Sequence, residues 1–372
     1  MSFRYQSGIN KPGFNPLGPQ TTTTYYSLYS WGLNDSGQLA QGNVTNYSSP
    51  KQVGALVTWS QVSAGRLNSL AIKLDGTLWS WGKNQLGQLG LGNITYYSSP
   101  KQVGSLTNWL KISSGSYNSM AIKTDGTLWA WGYNGVGQLG IGNITFYSSP
   151  KQVGSLTNWA NVSSGFSQTL AIKTNGTLWA WGGNNNGQLG LNNATYYSSP
   201  KQVGSLTDWL TISSGGYTSV SVKTDGTLWV WGYNNFGQLG IGNRTAYSSP
   251  KQLGSLTTWL KATASSYITS AIKTDGALWT WGRNDVGQLG LGNITFYSSP
   301  KQVGSLTNWL NTTGSTNFTV SVKTNGTLWA WGGNTFGQLG QNNRTLYSSP
   351  KQVGSLTGWL GIAASYHVLA LG

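Results

Sequence analysis

The sequence predicts an all-β fold, a seven-bladed β-propeller, and three observations carry that prediction. Tryptophan recurs at Trp31, Trp81, Trp131, Trp181, Trp231, Trp281 and Trp331, a spacing of 50 residues that marks a repeat architecture. Each period holds four short strand-like runs separated by Gly, Pro, Asn and Asp turns, with no helical periodicity. The two ends of the chain each hold half a period, so the ring closes by joining them in one blade.

Residues 1–24 precede the repeats. Pro12, Pro16 and Pro19 are the prolines outside the repeat pattern, and Thr21–Thr24 follow them. Proline fixes φ and blocks both helix and central strand, so this arm reads as extended. Phe3, Tyr5, Phe14 and Leu17 give it apolar anchors. Either it is a linker, or Phe3, Tyr5 and Phe14 dock on another surface.

The propeller spans 25–372. In the period 51–100, Trp59 to Ala64 forms the first strand and the apolar run Ser69 to Lys73 the second. Asp75-Gly76 makes a hairpin turn, since glycine tolerates positive φ. Thr77 to Trp81 is the third strand, and its period of two places Trp79 and Trp81 on one face. A Gly-Gln-Leu-Gly corner follows, and Lys101 to Val103 is a short fourth strand. Proline and lysine there suit an edge. At closure, Trp359 to Ala364 and Val368 to Leu371 supply the first two strands of a blade, and Tyr25 to Gly32 and Pro50 to Val53 the last two.

The chain contains 20 Trp, no Cys and no Glu. Disulfides and thiolate metal sites are excluded. The net charge of +15 is spread around the ring: Lys51 and Lys73 head two positions that recur with the repeat. Evenly distributed lysines and few arginines argue against a nucleic-acid stripe. No run is long and apolar enough to cross a membrane, and the first residues lack the apolar core of a secretion signal.

The combined motif Trp-Gly-x-Asn-x-x-Gly-Gln-Leu-Gly, Pro-x-x-Val and Asp-Gly before the next Trp-Gly resembles the RCC1-type repeat (regulator of chromosome condensation) across about 25–372. The resemblance implies the same seven-bladed propeller. His367-Val368-Leu369-Ala370-Leu371 is similar to the family's His-x-x-Ala-Leu, where other periods carry Asn68, Asn118, Gln168, Thr218, Ile268 and Phe318. The family includes a chromatin-binding nucleotide exchange factor that acts on a small GTPase, and many proteins that only bind partners. The segment Lys11 to Leu17 is similar to leaders on RCC1-like proteins of marine bacteriophages.

Enzyme chemistry is poorly supplied. His367 is the only histidine, and Asp75, Asp125, Asp225 and Asp275 share a turn position that Asn175 and Asn325 also fill. A turn tolerates that exchange; a catalytic carboxylate does not. No cofactor or metal is expected. The uniform repeats leave no inserted wedge, which argues against the exchange-factor mode, and a basic protein is poorly matched to a lysine-bearing phosphate loop. The Asn-x-Thr triplets headed by Asn43 and Asn93 read as turns in preference to glycan acceptors.

Differences among the repeats concentrate in two loops: the one between first and second strands, and the one after Trp-Gly. Both emerge on one face of an up-down blade. Arg66, Tyr117, Tyr133, Phe166, Tyr217, Tyr233, Tyr267 and Arg283 lie there, and flat rings with polar handles favour contacts. The sequence expectation is a non-enzymatic binding propeller in a virus particle, as a capsid decoration or tail protein. Its partners would be other particle subunits, a second copy as a homo-oligomer, or surface glycan. The alternative is an intracellular RCC1-like regulator that binds a small GTPase or chromatin.

Overall fold

The computed structural model describes residues 26–372, so the arm with Phe3, Tyr5 and Phe14 lies outside the described residues. Seven four-stranded antiparallel sheets form the blades of a propeller, as the repeat predicts. In the period from Trp59, the strands are Trp59–Ala64, Asn68–Lys73, Leu78–Gly82 and Tyr97–Gln102, running from the central channel to the rim.

The outer strand is longer than expected, beginning at Tyr97 instead of Lys101. Its register against the third strand jumps between Ser80↔Lys101 and Gly82↔Tyr97. That bulge absorbs Pro100, which has no N–H to give the ladder. Closure follows the expected pairing: Leu28–Gly32 lies beside His367–Leu371, with Leu28↔Leu371 and Gly32↔His367 at the ends of the register. The innermost strand of this blade is Gly361–Ala364, so Trp359 precedes it.

Within a blade, the inner-strand tryptophan sits edge-on to both third-strand tryptophans. Trp109 lies 6.2 Å from Trp129 and 6.3 Å from Trp131. The indole N–H groups of Trp59, Trp109, Trp159, Trp209, Trp259, Trp309 and Trp359 are buried without an oxygen acceptor.

Between blades, the third-strand tryptophan is the pin. Trp81 Nε1 donates to Gln38 O at 2.8 Å, Trp131 Nε1 to Gln88 O at 3.0 Å, and Trp31 Nε1 closes the ring on Gln338 O at 3.0 Å. The Gly-Gln-Leu-Gly corner presents that carbonyl because its own side chains shape it. Asn84 Oδ1 accepts from Leu89 N, and Gln88 Oε1 from Leu86 N. Gly90 has φ +73, and a Cβ there would meet Trp131 Nε1 at 2.8 Å, so glycine suits this corner on both counts, although the first period holds Ala40 there at φ 59.

The hairpin turns behave as turns. Asp75 Oδ1 accepts from Thr77 N and Oγ1, and Thr77 Oγ1 accepts from Trp79 Nε1. Asn175 Oδ1 makes the same pair of bonds to Thr177. The Asn-x-Thr triplets are turns too: Asn93 Oδ1 accepts from Thr95 N, and Asn84 Nδ2 donates to Asn93 O.

The lysines at the Lys73 position lie beside the turn aspartates, which partly offset their charge, but they do not stand out in solvent. Instead Lys123 Nζ lies 3.8 Å from the Trp129 ring and 5.0 Å from Trp109, and Lys173 repeats this at 3.6 and 5.0 Å beside Asn175. Burial lowers the pKa of Lys123, with Asp125 acting the other way. The alkyl stem and ammonium cap the tryptophan pair, and Lys223–Asp208 at 3.4 Å is the ion pair this ring makes among the described residues.

Candidate partner-binding face

The first-to-second and third-to-fourth connections of every blade emerge at one end of the ring. Lys83 N donates to Leu67 O and Tyr133 N to Tyr117 O, which ties the two loops of a blade together by backbone bonds. Side chains one period apart in sequence therefore become neighbours around the ring.

All eight residues singled out from the sequence meet in one band. Arg66 Nη1 donates to Tyr117 Oη at 2.6 Å. Tyr117 is 6.4 Å from Tyr133 and 6.2 Å from Phe166. Phe166 is 5.6 Å from Tyr217, which is 6.3 Å from Tyr233. Tyr233 is 6.2 Å from Tyr267, and the Arg283 guanidinium lies 5.6 Å from the Tyr267 ring. Burial raises the Tyr217 pKa, as does Tyr267, while Arg66 opposes the shift. The phenol stays protonated and keeps a donor for a partner.

Four aromatics that were not among the eight extend the band. Phe236 lies 4.8 Å from Tyr267 and 5.9 Å from Phe296, Phe146 lies 4.7 Å from Tyr133, and Tyr366 lies 5.7 Å from the Arg66 guanidinium. Phe146 and Phe296 follow the Asn-x-Thr triplets, where Tyr96, Ala246 and Leu346 also occur. That variation was the available signal. On the sixth period, Thr316, Asn317 and Gly333 take the equivalent places, so the band is an arc and not a full ring.

His367 is a packing residue at the closing interface. It is wholly buried, its Nε2 lies 2.8 Å from Ser69 Oγ, and burial lowers its pKa to about 3. Among the described residues no group of three or more His, Cys, Asp or Glu could hold a metal ion.

The model of the RCC1-like domain matches residues 23–261, and that of the Regulator of chromosome condensation (RCC1) repeat matches 275–322 and 325–371. No curated protein sequence matches the chain. Human WBSCR16 superposes with a TM-score of 0.83 at 21% identity, covering 93% of this chain and 98% of that one. Yeast RCC1 (Prp20), solved with Kap60 bound, gives 0.85 at 19% identity, covering 100% and 94%. Prp20p from Saccharomyces cerevisiae, described with its binding properties to Gsp1p and histones, gives 0.82 at 19% identity over 94% and 92%.

Proposed function

The chain belongs to the RCC1-like family, and on that premise we propose that it is a non-enzymatic propeller that binds a protein partner through its aromatic face. The observation that carries this reading is the unbroken chain of ring contacts from Arg66 to Arg283 across five blades. Tyrosine and arginine bring large contact area with few rotatable bonds, the composition of interface anchors. The turn aspartates are occupied by their own threonines and His367 is buried, which supports binding in preference to catalysis.

Of the two finer readings, the relatives favour the intracellular regulator over the virus-particle component. Prp20p is described by its binding to Gsp1p and histones. Those proteins point to a protein partner more than to particle subunits, a second copy or glycan. The repeats carry no inserted wedge, which favours docking over nucleotide exchange.

Affinity capture with quantitative mass spectrometry tests this. Replacing Tyr217 and Tyr233 together by alanine removes adjacent anchors, and such truncations cost about 2 kcal/mol or more, over roughly tenfold in affinity. Leu156→Ser changes an exposed residue at the opposite end of the ring and is the control. The partner should be lost with the tyrosine pair and kept with the control. The reverse pattern would place recognition on the other face.

A further inference from the structure

Building on the reading of the aromatic face as the partner side, we infer that the channel mouth at its centre binds an organic oxyanion. The group would be a carboxylate or phosphate carried on a planar ring. The mouth is a cavity of ≈ 370 Å³ lined by the ends of the inner strands and the loops that follow them. Its walls are glycine, alanine, serine and threonine, with Phe166, Tyr217, Tyr267 and Tyr366 also lining it. Arg66 is the one charged side chain lining it.

That arginine is prepared for an anion. Its guanidinium lies 5.6 Å from the Tyr117 ring and 5.7 Å from Tyr366, which fixes the plane of the fork. One N–H is used on Tyr117 Oη, and no carboxylate pairs with Arg66 among the described residues. Arg283, the other arginine of the arc, is different: Asp285 pairs with it directly. A free planar fork beside hydroxyls suits bidentate oxyanion binding. Ser116 and Ser365, from the two flanking blades, supply such hydroxyls in the same cavity.

Deeper along the inner strand, Lys261 lies two residues before Thr263, a cavity residue, and so on the same side of that strand. It has no ion-pair partner among the described residues, and burial lowers its pKa to about 8. With no acid lining the cavity, the field at the mouth is positive. The lining rings favour an anion with a flat body over a bare ion.

Phenyl phosphate is the probe, titrated calorimetrically into the full chain with inorganic phosphate and phenol as comparators. Phenyl phosphate should bind saturably and more tightly than either comparator, and the binding should weaken with added salt. Arg66→Gln should weaken it by roughly tenfold or more, and Lys101→Gln, at the exposed rim and outside the cavity, should leave it unchanged. If Arg66→Gln does not fold, Ser116→Asp serves instead, because its carboxylate would occupy the guanidinium and must abolish binding. No saturable binding, equal binding by inorganic phosphate, or an unaffected Arg66→Gln would each overturn the inference. Partner capture that survives when this titration fails would sink only the oxyanion site. Capture insensitive to the tyrosine pair would sink the partner face and leave the titration standing.

Discussion

Deleting residues 359–372 should abolish the ring and not one blade alone. The segment supplies Trp359, Val368, Leu369 and Leu371, each at most 2% exposed. At about 1.5–3 kcal/mol for each buried side chain, their loss removes roughly 6–12 kcal/mol. A domain's whole stability is about 5–15 kcal/mol. The deletion also strips every ladder partner from one side of Leu28–Gly32, and it uncovers Tyr29 and Trp31, which pack on Trp359 at 5.0 and 6.4 Å. That leaves the inner edge of Leu28–Gly32 raw. Size-exclusion chromatography with light scattering, followed by a thermal melt by circular dichroism, reads the result. The truncated chain should aggregate or lack a cooperative transition. A monomer melting cooperatively within about 10 °C of the full chain would refute the argument, since a loss this large moves the midpoint further. A finer test compares Leu369→Ala with Leu70→Ala. Both leucines are fully buried at equivalent strand positions. Each should cost about 2–5 kcal/mol, because the closing blade is packed like the others.

Three further outcomes follow from the packing. Trp131→Phe keeps most of the ring area but withdraws the Nε1 donor from Gln88 O, while Ser119 Oγ still donates to that oxygen at 2.8 Å; denaturant unfolding should show a loss of about 1–2 kcal/mol. Lys123→Gln uncaps two tryptophans and should cost about 1–2 kcal/mol, whereas Lys101→Gln, at the exposed rim over Tyr97, should stay within about 0.5 kcal/mol. His367 has a folded pKa of about 3 against an ordinary 6.5, so between those values the unfolded chain binds a proton that the folded chain refuses. Stability should therefore fall as pH drops through that window, by about 1.4 kcal/mol per unit from this group. His367→Gln, the residue type found at Gln168, should flatten that part of the profile.

The blade count, the strand order, the closure and the hairpin turns were all legible in the chain. The strands and turns depend on residues within one period, the closure on the two half-periods at the ends, and seven near-copies separate what the backbone needs from what it tolerates. Asn175 standing in for aspartate identified a turn before any distance was known, and the turn bonds bear this out. The position of Tyr97 in the outer strand was not legible. Strand length there depends on a bulge, and the register of a bulge is settled by the partner strand.

What the sequence determined by itself is the repeating unit and the end of the ring from which its variable loops emerge. Tertiary structure decided which side chains meet. In sequence Arg66 and Arg283 are both arginines of variable loops, yet one is paired and the other stands unpaired in the channel mouth. Lys123 and Lys101 are both ring lysines, yet one caps tryptophans and the other lies at the solvent rim. The physical reason is range. Turn chemistry and strand alternation act over a few residues and are written in each repeat. The joining of Arg66, Tyr117 and Phe166 into an arc acts between residues about 50 apart, where only the curvature of the closed ring sets the distance.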